Sequence, residues 1–207
     1  MKKIIAIFIL TTCIGFSVFA DNINEAYDLL DKKDYRNAMV LLEKLSKQGN
    51  ARAQVNLGLM YARGQGVTAN INEAVKWFNL AAKLGDIGGQ YNMAIAYFHG
   101  DGITKDYIES IRFFKLAAEN KEVPKKFIGL QATAQLYLAA TCYAVANDTK
   151  DYEQSHKWYY IASMIADAPD IRQQAQQGRS NTAAKMTPEQ IERAQHSAND
   201  WLKKHQA

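Results

Sequence analysis

Apolar positions along the middle of the chain recur at helical spacing. Ala74, Phe78, Ala81 and Ala82 stand at i, i+4, i+7 and i+8, which is one face of a helix. Leu57, Met60 and Tyr61 repeat that spacing a little earlier. Glycines separate the two runs, at Gly64 and Gly66. The pattern predicts two amphipathic helices joined by a tight turn, because glycine adopts positive φ without steric cost.

The same arrangement returns at a fixed distance. Residues 56–86 align with 92–122 at an offset of 36, so that Asn56 matches Asn92 and Tyr61 matches Tyr97. Gly64 and Gly66 match Gly100 and Gly102, Glu73 matches Glu109, Trp77 matches Phe113, Phe78 matches Phe114, and Ala81 and Ala82 match Ala117 and Ala118. Upstream, Tyr35, Ala38, Leu42, Leu45 and Gly49 fall 36 before Ile71, Ala74, Phe78, Ala81 and Gly85. Downstream, 149–163 echoes 104–118 at an offset of 45, which implies an insertion near 121–130. A helical hairpin cannot bury both faces alone, whereas stacked hairpins share a continuous core. The expected fold is all-α, an α-solenoid of about four hairpins.

This period decides a rival reading of Gly64, Gly66 and Ala69, which fit the dinucleotide pattern G-x-G-x-x-G/A. That fingerprint occurs once and follows a strand. Here the glycine pair occurs twice after helical sequence, and Lys105 replaces the third small residue. No cofactor is expected.

The unit Ala51, Ala53, Gln54, Leu57, Gly58, Tyr61, Gly64, Gly66, Val67, Glu73, Ala74, Trp77, Ala81, Ala82 and Gly85 resembles the Sel1-like repeat, a relative of the tetratricopeptide repeat. The next unit departs at Ala94 for the helix glycine and at Ser110 for the alanine, and the last unit is degenerate. The resemblance covers roughly 24–166. It implies right-handed stacking of α-hairpins that bind a protein or peptide partner.

Beyond the repeats, Thr187, Pro188 and Gln190 form a capping box ahead of the apolar stripe Ile191, Ala194, Ala198, Trp201 and Leu202. This helix is expected to cap the stack, with another polar helix over 170–185 interrupted near Gly178. The expected division is 1–20 as a signal peptide, 21–166 as repeats and 167–207 as capping helices.

Composition adds a location and removes some partners. Lys2 and Lys3 precede an apolar run from Ile4 to Phe19 that ends in Val18-Phe19-Ala20, a signal sequence with its cut after Ala20. The expectation is a bacterial chain in the periplasm or secreted, with membrane contact only through this segment before cleavage. An uncleaved anchor, or a lipoprotein at Cys13, is the alternative. The net charge of +4 falls to +2 without Lys2 and Lys3, too little for a nucleic-acid footprint. After cleavage Cys142 stands alone, so no internal disulfide is possible.

Catalytic motifs are missing. Some secreted proteins of the resembled kind are labelled as β-lactamases, so an envelope hydrolase, β-lactamase-like or acting on the cell wall, is the alternative function. S-x-x-K, S-D-N and K-T-G do not occur. The four histidines make no H-E-x-x-H, so no metal site is expected. Cys142 and His156 could meet across the last hairpin, although a chance pair is much commoner than a dyad.

The sequence therefore favours an interaction scaffold. First helices of stacked hairpins line a concave surface. Residues there that packing does not need are the candidate contacts: Arg52, Asn56 and Arg63, then Asn92 and His99, then Tyr137.

Overall fold

The computed structural model describes residues 23–120, 128–149 and 151–205. The expected signal segment 1–20, and 121–127 of the expected insertion, lie outside them. The described residues form helices and turns, without strands. In order these are α1 (23–31), α2 (Tyr35–Lys47), α3 (Ala51–Arg63), α4 (Ile71–Lys83), α5 (Ile87–His99), α6 (Tyr107–Ala118), α7 (Ile128–Thr149), α8 (Glu153–Ile165), α9 (Pro169–Ala183) and α10 (Pro188–His205). They divide into two compact units, one through Gly89 and one from Gln90.

In the first unit, α2 packs on α3 and α3 on α4. Ile23, Ala26, Ala38, Leu42, Leu45, Ala53 and Met60 form a core, with Tyr27, Tyr35 and Met39 against it. Side chains start the helices. Asp34 accepts from the Asn37 amide at 3.3 Å, Asn50 from Ala53 at 3.0 Å and Asn70 from Glu73 at 3.2 Å. Each cap contributes about 1 kcal/mol. The glycines end the helices as expected. Gly64 and Gly66 have φ of 66° and 74°. A side chain on Gly66 would also strike Tyr35. The G-x-G is thus a helix-to-helix turn packed on protein. Gly58 lets α3 approach α4: a Cβ there would lie 2.5 Å from the Phe78 ring. Trp77, the counterpart of the buried Phe113, is only half-buried, in keeping with the size of indole.

The second unit continues the pattern. Asp106 caps α6 through the amides of Ile108 and Glu109, and Gly100 and Gly102 again have positive φ. Phe113, Phe114, Ala117 and Ala118 are buried on α6. The helix α7, at 22 residues, is longer than its neighbours and absorbs the end of the expected insertion from Ile128. Before α8, it is the carboxylate of Asp151 that holds the Glu153 amide, at 3.2 Å. The terminal helices pack as caps, α9 on α7 and α8, and α10 on α8. The expected break near Gly178 does not occur. The helix α9 runs unbroken from Pro169, and Gly178 is buried against the Tyr159 ring, where a Cβ would have no room. This glycine serves close packing, not a bend. The capping box forms as expected: the Thr187 amide donates to Gln190 at 2.8 Å, and the Gln190 amide to the Thr187 hydroxyl at 3.3 Å.

Candidate functional site

The candidate contacts sit on the first helix of each hairpin. On α3, Arg52, Asn56 and Arg63 fall within about 40° of one another around the helix axis. Arg52 and Asn56 are half-buried, and Arg63 is exposed in the last turn. Asn56 donates from Nδ2 to the Arg52 carbonyl at 2.8 Å, so one of its hydrogen bonds is already used inside the helix. The opposite face of α3, with Ala53, Gln54, Leu57, Gly58 and Met60, is buried. Gln54 ties that face to the preceding helix by donating to the Ser46 carbonyl at 3.2 Å.

On α5, Asn92 is half-buried and His99 is exposed two turns later, its ring edge-on to Phe98 at 4.9 Å. His99 is the period-related counterpart of Arg63, as Asn92 is of Asn56. Tyr137 on α7 is next in that register but has a different environment. Its ring stacks on Phe114 at 5.7 Å and meets Tyr91 edge-on at 5.9 Å. Tyr91 shares a side-chain hydrogen bond with Tyr137, and burial pushes the Tyr91 phenol up to about 12. Tyr137 is therefore half packing residue and half surface.

The possible Cys142–His156 pair takes another form. His156 is buried and its Nδ1 lies 2.9 Å from the Thr182 hydroxyl on α9. Burial, then the charge of Arg179, holds its pKa below the ordinary histidine value. Burial, with the nearby Asp151 carboxylate, pushes the Cys142 thiol up to about 12. An activated nucleophile needs the reverse shift. Among the described residues, no group of three or more His, Cys, Asp or Glu side chains is placed to hold a metal ion. No described helix is long and apolar enough to cross a membrane.

Two open clefts in the second unit were not foreseen from sequence. One, of about 930 Å³, lies between α8 and α10 and includes Lys157, Trp201, Lys204 and His205. The other, of about 390 Å³, lies among α6, α7 and α8 and includes Lys115, Leu138, Cys142, Lys157 and Trp158. The available signal was a change of residue at Gln154, where earlier units carry Glu73 and Glu109.

A model of the Sel1 repeat matches residues 27–50, 51–86, 88–121 and 132–166. The chain belongs to the Sel1 repeat family. Solved Sel1-type structures align with it. One is c5321, described as a protective antigen present in uropathogenic Escherichia coli strains displaying an SLR fold; it has a TM-score of 0.65 and 28% identity, with 81% of this chain and 33% of that one covered. Another is a Sel1 repeat protein from Oxalobacter formigenes, with a TM-score of 0.57 and 28% identity, covering 69% of this chain and 55% of that one. The chain thus spans about a third and about half the lengths of these two relatives. No curated protein matches it. The Sel1 register places the departures at Ala94 and Ser110, and again at Ala139 and Ser155, at equivalent points of successive repeats.

Proposed function

We propose that this Sel1 repeat protein is an exported interaction scaffold, periplasmic or secreted, that binds a protein or peptide through the exposed stripes of its first helices. The observation that carries this reading is the pair Arg63 and His99. They occupy equivalent positions one repeat apart, and both are exposed at the ends of helices whose Met60 and Met93 are buried. Packing explains the methionines and leaves the polar pair to another use. Repeat arrays offer extended surfaces of this kind, and function is argued from such a surface rather than from the fold. Export is supported by the pattern of residues 1–20. The raised thiol of Cys142 and the engagement of His156 with Thr182 give the hydrolase alternative no support.

The test is capture from envelope extract with a tagged chain. The wild type is compared with a variant carrying Arg52→Ala, Asn56→Ala and Arg63→Ala, and with one carrying Asn92→Ala and His99→Ala. Loss of a specific partner with unchanged helical circular dichroism supports the reading. Equal capture by both variants contradicts it.

A further inference from the structure

The helix α9 is lightly anchored to the rest of the second unit. Its buried residues are Ala175, Gly178 and Thr182, all of them small. Gln173, Gln174, Gln176 and Gln177 are exposed. Gly178 lets the Tyr159 ring of α8 lie close, but a glycine inside a helix also weakens the helix itself. The neighbouring α10 is held differently. It buries Trp201 and Leu202 along with Ala194 and Ala198, and it packs on α8. A helix that buries so little apolar surface opens more readily than the elements around it.

A buried side-chain hydrogen bond ties α9 to α8. His156 is 1% exposed, and its Nδ1 lies 2.9 Å from the Thr182 hydroxyl. That hydroxyl directs its own proton at backbone carbonyls of α9, Arg179 at 2.8 Å and Gly178 at 3.2 Å. It therefore meets the ring as an acceptor, and Nδ1 carries the ring proton. The other ring nitrogen, Nε2, is buried, and among the described residues it has no hydrogen-bond partner. The site fits the neutral imidazole. A second proton would go to Nε2, where nothing described accepts it.

The charges around the ring work in the same direction. On α9, the Arg179 guanidinium acts on it as a like charge, and lies 5.5 Å from the centre of the Tyr160 ring. Burial and that charge lower the His156 pKa, and the Arg179 carbonyl opposes them only in part. From α7, Tyr143 and Cys142 act on Tyr159, one turn along α8 from His156. From α10, Arg193 is taken by Glu153. Lys157, next to His156 in the chain, lines the two clefts. After α9, Lys185 lies over the Tyr143 and Tyr152 rings, at 5.2 Å from each centre. No carboxylate among the described residues acts on the imidazole.

We propose that α9 is an acid-released strap: protonation of His156 unseats α9 from α8 while α10 stays docked, and the opening uncovers His156 and the Tyr159 ring. Above about pH 6.5 the ring is neutral in both states, and the strap keeps its full hold. As the pH falls from there toward the lower value of the seated ring, the open form binds the proton and the seated form does not, so opening grows. One histidine that titrates at about 6.5 when open raises the opening by at most about thirtyfold at pH 5. The device does not rest on the stripes of α3 and α5, so its failure would leave the scaffold reading standing.

The experiment is amide hydrogen exchange of the full chain, read by mass spectrometry at pH 7.5 and pH 5. Rates are referred to the urea-unfolded chain at each pH, which removes the acid–base dependence of exchange itself. Opening of 169–183 is expected to rise by more than about threefold and up to about thirtyfold on acidification. At pH 5 the buried stripe of α10, 194–202, should stay at least about tenfold more protected than 169–183. In His156→Gln the rise in 169–183 should fall to less than about half. His196→Gln and His205→Gln, at the exposed histidines of α10, should keep it. A wild-type rise below about threefold would overturn the inference. Protection of 194–202 within about tenfold of that of 169–183 at pH 5 would overturn it too, because the two helices would then open together. So would a rise that His156→Gln retains by half or more, or one lost in His196→Gln or His205→Gln.

Discussion

The Ser110 hydroxyl donates to the Ala94 carbonyl at 2.9 Å across the α5–α6 hairpin. Ser155 does the same to Ala139 at 2.8 Å, one repeat later. Both donors and both acceptors stand where the Sel1 pattern has alanine and glycine, as Ala74 and Gly58 do in the second repeat. The two departures are thus one compensated exchange. Glycine brings the second repeat's helices close to Phe78, and a serine hydroxyl fastens the later ones. Ser110→Ala and Ser155→Ala should each cost about 0.5–1.5 kcal/mol in urea unfolding, because the carbonyls keep their helical partners. A loss within noise for both would remove the hydroxyls from the account.

Gly178 and Tyr159 form a tighter version of such a contact. Gly178→Ala should destabilise by about 1–3 kcal/mol through overpacking. In a Tyr159→Leu background the same change should cost clearly less, since the two sites are in contact. Equal costs in both backgrounds would show that the ring is not the obstacle.

His156 gives a pH signature. Its folded pKa is depressed below an unfolded value of about 6.5. Between those two values the unfolded chain binds the proton and the native chain does not, so stability rises with pH through that window. Its contribution is intact above about pH 6.5 and declines as the pH falls toward the folded value. The unfolding midpoint should drop on acidification, and His156→Gln should flatten that part of the curve. An unchanged slope in the variant would contradict this.

Cys142 should resist alkylation. A thiol with a pKa pushed up to about 12 is much less ionised at pH 8 than a free cysteine. Iodoacetamide labelling of the native protein should be roughly a thousandfold slower than that of the urea-unfolded chain. A native rate near the unfolded one would reopen the case for a reactive cysteine.

The repeat was legible because its signals are local. Gly64, Gly66, Gly100 and Gly102 mark turns by their own backbone needs, and Thr187 and Gln190 mark a helix start within four residues. Gly178 was misread because the same residue that bends one helix allows another helix to be approached, and only Tyr159 tells the two apart. Ser110 and Ala94 looked like two separate departures until the hydroxyl and the carbonyl met across the hairpin. Tyr137 shared a register with Asn56 and Asn92, yet the aromatic neighbours Tyr91 and Phe114 claim it. The two clefts of the second unit join residues from α6, α7, α8 and α10, and no local pattern brings those together.

The central claim is that a partner docks on the first helices. A photo-crosslinking residue can be placed at Arg63 and at His99, and for comparison at Val40 and Ile108, exposed on the second helices α2 and α6. The account predicts that one protein is linked from positions 63 and 99 and not from 40 or 108. Linking from 40 and 108 alone, or equally from all four, would contradict it.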